Sequence, residues 1–309
     1  KEKSFKCIVY IGILLAVATG IQLVFIGSLL PIILFILLEI FYFKKFICKE
    51  FSYKKFLLDL LKCFFVFYLL IILFWIDVHP NIFRLPFEFL LGTFDTDYKT
   101  GWCCNLINGK YYFSHEAPKF YFLKSFIYKS PEYLLILYIL FIIFIIQAKS
   151  FFIEKIKHFY LKIFFLTLIL IYPDIIALIV PYPIYDGLRL FLWTIPYFCI
   201  IPSLSIYYLI ENFKTKQSKI ILLGLSCLII IFIYNFFSIT PYQYTYLNNF
   251  NGETKYRYKK FENDYWSSSL NELFKKASFK KNENLKFSTC GVSHGMAKKY
   301  LNEKGYFNI

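Results

Sequence analysis

Apolar residues fall in blocks too long for the core of a soluble domain, and short polar stretches separate the blocks. The first block, residues 7–43, runs for 37 positions. One helical crossing of the hydrocarbon layer needs about 20 residues. The block therefore predicts a hairpin of two helices, with Gly20, Gly27 and Pro31 as places to break it. Further apolar runs follow at 56–76, 133–148, 163–183, 190–210 and 220–239. Together they predict an all-α polytopic membrane protein with about seven spans. Residues 1–239 form its helical bundle, including a long loop at 77–132. Residues 240–309 form a separate segment, with helical patterning at 270–279 and 296–303 and a strand-like run at 285–290, so a small α/β element is expected there.

Charge fixes the expected orientation. Lys1, Lys3 and Lys6 precede the first block, and Lys44, Lys45, Lys49, Lys54 and Lys55 follow it. Basic short loops mark the cytoplasmic side, so both ends of the first block belong there. Lys149, Lys155, Lys157 and Lys162 mark the next return, and Lys214, Lys216 and Lys219 the one after. The loop at 77–132 carries six basic and six acidic residues, the absence of bias expected of an outer loop. Parity then places residues 240–309 outside the cytoplasmic membrane. Much of the lysine behind the net charge of +15 sits in these short clusters, so the basic balance is not a nucleic-acid footprint; the tail is basic too, but long segments translocate largely regardless of charge.

Composition agrees, with 58% of 309 residues hydrophobic and only 18% charged, against roughly a quarter charged in soluble domains. Met296 is the only methionine, and the chain opens at Lys1 directly before an apolar run. It is therefore expected to be a fragment of a longer protein. Eight scattered cysteines form no CxxC pair, which disfavours a zinc or redox site. Cys103 and Cys104 are read as small apolar residues, with a bridge to an external cysteine such as Cys290 as the sharper alternative. No Walker loop or GxGxxG is present, so nucleotide-driven transport has no support.

Three polar features interrupt the apolar pattern. Asp59 and Lys62 lie three apart on one helical face and predict a local pair near the cytoplasmic interface. Pro173-Asp174 falls inside the run 163–183. Proline removes a backbone hydrogen bond, and an acid at bilayer depth costs about 2.5–3.5 kcal/mol. Asp174 is thus expected to face the bundle interior or water, unless the helix breaks there and the acid lies shallower. The third feature is the island Tyr185-Asp186-Gly187-Leu188-Arg189 at the mouth of the next run. A guanidinium at a span mouth suits bidentate phosphate binding, and a local ion pair between Asp186 and Arg189 is the plainer reading. Trp75, Trp193 and Trp266 read as interfacial belts. His79 and His115 are spaced unlike a metal pair.

The island, followed by Phe191-Leu192, resembles a stretch of the bacterial polytopic glycosyltransferases of the GT-C fold, in the branch similar to dolichyl-phosphate-mannose protein mannosyltransferases. Leu190 stands where that branch usually has histidine. Thr240-Pro241-Tyr242-Gln243-Tyr244 with Asn248, Gly252 and Phe261-Glu262-Asn263-Asp264-Tyr265-Trp266 is similar to the segment after the last helix in these proteins. Phe74-Trp75, His79-Pro80, Pro118-Lys119-Phe120-Tyr121 and Lys129-Ser130-Pro131 resemble their long external loop, with Lys119 in place of an aromatic residue. The similarity covers residues 13–273. It implies transfer of a sugar from a polyprenyl-phosphate donor to a lipid or protein acceptor on the outer face of the membrane. Arg189 would bind phosphate, with Asp186, Tyr185 and His115 as helpers. The catalytic acid of that family sits in its first external loop, which implies a base upstream of Lys1. No cofactor is implied, and the family leaves dependence on a divalent metal open. A transporter or flippase, motivated by Pro173-Asp174, and a non-catalytic membrane scaffold are the alternatives.

Overall fold

The structure, a computed structural model, describes residues 2–21, 23–44, 51–92, 105–113, 116, 118–179, 184, 187–261, 269–276, 278 and 294–306. It is dominated by helices. The first apolar block breaks where glycine and proline predict. Helix α1 (Glu2–Ile21) ends just after Gly20, and a 3-10 segment (Leu23–Leu29) carries Gly27. Helix α2 (Leu30–Leu38) opens with Pro31 in its first turn and ends in a π-helical turn, Glu39–Phe43. Proline is tolerated there because the first N–H groups of a helix lack intrahelical partners anyway. Helix α3 (Tyr53–Phe74) follows, with Ser52 as N-cap.

Beyond α3 come a 3-10 turn (Ile76–Asn81), α4 (Leu85–Gly92) and an antiparallel hairpin of β1 (Asn105–Ile107) and β2 (Lys110–Tyr112). Helix α5 (Tyr121–Lys129) and α6 (Glu132–Gln147) meet at Ser130-Pro131 with a bend of 112°. Helix α5 thus runs across the bundle rather than along it. The remaining long helices are α8 (Phe159–Ile179), after the short α7 (Lys149–Lys155), then α9 (Ile195–Glu211) and α10 (Lys216–Ser238). The tail contributes α11 (Thr254–Arg257), α12 (Leu270–Lys276) and α13 (His294–Glu303). The strand-like run at 285–290 lies outside the described residues.

Among the described residues, five helical stretches are long and apolar enough to cross a membrane: Phe25–Phe43, Tyr53–Phe74, Phe159–Ile179, Arg189–Glu211 and Lys216–Ser238. The bent pair α5–α6 makes a sixth if counted as one crossing. The expected count of seven also included α1, whose apolar part, Phe5–Ile21, is shorter. Large apolar side chains such as Phe65, Leu73, Leu223 and Ile230 are more than half exposed along α3 and α10. A water-soluble monomer does not show such faces, and lipid tails accommodate them.

Helices α1 and α3 run parallel. Phe5 and Ile8 share a pocket with Lys54, Lys55 and Leu58, Gly12 faces Cys63 and Val66, and Gly20 faces Trp75. An ideal Cβ on Gly12 would lie 2.9 Å from Val66 Cβ and 3.0 Å from the Cys63 carbonyl oxygen. Only glycine lets the two backbones approach this closely. The chain between them returns along α8, with Tyr172 donating to the Gly27 carbonyl at 2.7 Å and Phe43 edge-on to Phe164. Lys155 pairs with Glu211 at 3.4 Å, which joins the α7 and α9–α10 junctions. The described lysines of the short connections therefore gather at one end of the bundle. The described parts of the 77–132 loop and of the tail, with Gly187 to Thr194, occupy the other.

Asp174 does not break α8. The helix continues through Pro173, and Asp174 is buried. Its two carboxyl oxygens each accept a backbone N–H, from Phe122 and Leu123, at 3.1 Å. It faces the interior as expected, but as the cap of α5. Asp59 and Lys62 form the expected pair at 3.2 Å. Among the described residues, Cys7, Cys63, Cys199 and Cys227 are free thiols, while Cys103, Cys104 and Cys290 lie outside them.

Two stability tests follow from this packing. Gly12→Leu should lower the thermal midpoint in detergent by an amount equivalent to about 1–3 kcal/mol, as forced overpacking does elsewhere. Asp174→Ala leaves two buried N–H groups unpaired and should cost about 2–5 kcal/mol, with Asp174→Asn, which keeps one acceptor oxygen, costing less.

Candidate functional site

The end of the bundle opposite the lysine clusters is built on α5. Its first N–H groups and last carbonyls have no partners within the helix, and one face of the helix is closed off by aromatic packing around Phe122 and Phe126. Both rings are buried, Phe126 stacks on Phe198 with centroids 4.0 Å apart, and Phe122 meets Phe191 edge-on at 4.9 Å. Asp174 satisfies the N-terminal end.

Asn248 and Asn251, on the segment after α10, satisfy the other end. Asn248 Nδ2 donates to the carbonyls of Ile127 and Ser130 at 2.6 and 2.9 Å, and its backbone N–H donates to the Tyr128 carbonyl at 3.1 Å. Asn251 Nδ2 donates to the same Tyr128 carbonyl at 2.9 Å. Both asparagines are almost fully buried. The helix is thereby clamped at one end by α8 and at the other by the tail.

The island is pinned to this clamp. Asn105 Nδ2 of β1 donates to the Ile184 carbonyl at 2.7 Å, and the Gly187 N–H donates to the Tyr121 hydroxyl at 2.7 Å. Gly187 has φ +65, in the left-handed region where a side chain is strained. A Cβ there would also lie 2.5 Å from Lys129 Nζ. The Lys129 side chain, from the far end of α5, therefore lies directly against the Gly187 turn. Two residues on, Arg189 opens a 3-10 helix (Arg189–Thr194) and is exposed. Phe191 anchors that turn in the apolar cluster, and Thr194 is buried with its hydroxyl donating to the Phe191 carbonyl at 2.6 Å. A lysine and an arginine from different elements thus flank one tightly held turn at the mouth of α9.

Tyr185, Asp186 and His115 lie outside the described residues, as does Trp266. His79 is not brought to the island. Its Nε2–H donates to the Ile72 carbonyl at 2.8 Å, which closes the end of α3. Phe261, the first residue of the aromatic-acidic motif of the tail, is buried and bridges to Ile107 of β1, and its ring lies 5.0 Å from Tyr128. The three stretches that the sequence marks as external therefore meet around α5.

Sequence reasoning missed the group beside them. Glu132, at the start of α6, accepts the Asn249 N–H at 2.7 Å and the Tyr246 hydroxyl at 3.1 Å. Arg257 donates to the carbonyls of Leu247 and Gly252, each at 2.8 Å, and to Asn249 Oδ1 at 2.6 Å. Glu132 and Arg257 line a cavity of about 300 Å³ with Asn235, Ser238, Tyr246 and Tyr258. An acid directly after proline at a predicted helix start was the available signal for Glu132, and it was read as a loop boundary. Arg257 had none, since its partners, the carbonyls of Leu247 and Gly252 and the side chain of Asn249, leave no pattern in the sequence. Among the described residues, no three His, Cys, Asp or Glu side chains come together as a metal site.

No protein-family model matches the chain, and no curated protein and no solved structure is detectably similar to it.

Burial pushes the Tyr246 hydroxyl above its ordinary value of 10, and the neighbouring Glu132 charge and hydrogen bond push it further. A group raised on folding stabilises fully below its unfolded value and loses that contribution as pH rises through the folded one. Tyr246→Phe should therefore cost about 0.5–1.5 kcal/mol, the worth of one hydrogen bond. The gap in thermal midpoint between variant and wild type should be constant from about pH 6 to 9 and shrink only in strongly alkaline buffer, above the unfolded value.

Proposed function

We propose that this is a multi-pass protein of the cytoplasmic membrane that transfers a sugar from a polyprenyl-phosphate donor to a lipid or protein acceptor on the outer face. Five to seven helices cross the membrane in this reading, and the segment from Thr240 onward lies outside. Orientation rests on the short lysine-bearing connections, which share one end of the bundle and assign that end to the cytoplasm. The tail then joins the loop at the outer surface.

The observation that carries the reading is the pair of cations at one rigid turn, Arg189 exposed on it and Lys129 lying against Gly187. Phosphate leaves in this reaction with developing negative charge, and fixed cations lower the energy of that charge. Arg189 offers a planar fork to phosphate oxygens, and Lys129 offers a point charge. Asp186, Tyr185 and His115 complete the donor side in the resemblance to GT-C glycosyltransferases, which supplies the chemistry. The base that deprotonates the acceptor is not assigned to any of these residues. The transport alternative drew on a mid-span acid, and Asp174 has a sufficient role as the cap of α5.

The test is transfer of a labelled sugar from polyprenyl phosphate by the full-length protein in nanodiscs. Arg189→Ala should lower kcat/KM by about 10²–10³-fold, the usual loss when one charge-stabilising donor is removed. Arg189→Lys should recover part of that loss by keeping the charge without the fork. Equal turnover in Arg189→Ala and wild type would remove the phosphate role, and a wild type without transfer would remove the whole reading.

A further inference from the structure

A second pocket lies at the opposite end of the molecule, between the first turns of α1 and α3. Its volume is about 510 Å³. Lys54, Lys55 and Lys62 line it together with Asp59. Asp59 and Lys62 match each other at 3.2 Å. Among the described residues, the Lys54 and Lys55 ammonium groups have no carboxylate partner. Two positive charges therefore remain unmatched in one concavity. Phe5, Ile8 and Leu58 supply its apolar wall.

This combination is selective. Helix α3 is of membrane length, so its first turn sits at the level of the lipid headgroups, with the apolar wall leading toward the acyl chains. A soluble anion would satisfy the lysines and leave the wall wet. A neutral lipid would cover the wall and leave the lysines without an excess of negative charge. We propose that this pocket binds one anionic phospholipid. Its phosphate sits at Lys54 and Lys55, and the first methylenes of an acyl chain lie along Phe5, Ile8 and Leu58. Basic pockets between helices on the cytoplasmic side take such headgroups by the same physics. The site is independent of the transferase reading, and it would hold if that reading failed.

The parallel packing of α1 and α3 builds the pocket. The close approach at Gly12 aligns the two first turns, so that the lysines of one helix face the apolar side chains of the other. Ser52 caps α3 through the Lys55 N–H, so the lysine side chains are not needed to start the helix.

The experiment uses the full chain purified in a non-ionic detergent, with native mass spectrometry to count bound lipid. Phosphatidylglycerol is titrated against phosphatidylcholine. Wild type should bind one phosphatidylglycerol at least about tenfold more tightly than phosphatidylcholine. Lys54→Gln with Lys55→Gln should weaken phosphatidylglycerol about thirtyfold, near a factor of five for each lysine, and leave phosphatidylcholine unchanged. Lys214→Gln with Lys216→Gln, at another basic junction, should change neither. Inorganic phosphate at millimolar concentration should not displace the lipid. Equal affinity for the two lipids would overturn the proposal. So would an unchanged preference in the Lys54/Lys55 variant, an equal loss in the Lys214/Lys216 variant, or displacement by free phosphate. If the glutamine variant lowers the thermal midpoint without lipid, Lys54→Arg with Lys55→Arg decides the matter, because it keeps the charge and must keep the preference.

Discussion

The ends of α5 are the constraint on which the Arg189 end of this protein depends. A helix of nine residues exposes nearly as many unpartnered backbone groups as it pairs, and isolated helices of that length do not persist. On the face turned into the aromatic cluster of Phe122, Phe126 and Phe198, side chains rather than water meet them. Asp174 takes two N–H groups at one end, and Asn248 and Asn251 take the carbonyls of Ile127, Tyr128 and Ser130 at the other. The side chains that do this come from positions more than 50 and more than 110 residues away along the chain. Each cap is thus also a tertiary link. Helix α5 exists because α8 and the tail are in place, and both are located by holding it.

Rigidity passes from there to the Gly187 turn. Tyr121 opens α5 and receives the Gly187 N–H, while Lys129 closes α5 and lies against the same glycine. One short helix therefore positions the turn from both of its ends. A glycine at φ +65 is what lets the backbone enter the turn so near a lysine side chain. The apolar anchors Phe191 and Phe198 fix the start of α9 below it. Arg189 stands exposed between the buried anchors Gly187 and Phe191.

The legible part of the fold was its periodic part. Apolar runs marked the long helices, Gly20 through Pro31 marked the break in the first block, and i,i+3 spacing marked the Asp59–Lys62 pair. The helices at 270–276 and 294–303 also followed from local pattern. What was not legible was long-range. The stretch from Tyr121 to Lys129 is aromatic and mixed, with no period strong enough to separate a short capped helix from an external loop. Asp174 looked like an acid in want of a function because its partners, two backbone N–H groups, leave no mark in composition. Arg257 was passed over because its partners likewise leave no local pattern, and Glu132 because an acid after Pro131 was read as a loop boundary. In the candidate site the sequence singled out Arg189 with Asp186, Tyr185 and His115, of which Arg189 alone lies among the described residues, whereas the placement of Lys129 against the Gly187 turn is a long-range feature without a local pattern.

The two ends of the bundle divide the electrostatic work. At one end lysines gather on short connections, where each costs little because headgroups and water solvate it. At the other, acids and bases are mixed, and some are bound to backbone. Arg257 spends its guanidinium on the carbonyls of Leu247 and Gly252 and the side chain of Asn249, and Glu132 spends its carboxylate on Tyr246 and the Asn249 N–H. Those groups hold the tail to α6 and are poor candidates to meet a ligand directly, because each would first have to surrender hydrogen bonds. Arg189 stands two residues after Gly187, on a turn whose backbone is held by the Tyr121 hydroxyl and by the buried ring of Phe191. The position of the turn therefore follows from the fold around α5, and a planar guanidinium placed there has the fork geometry that bidentate contact with an anion needs.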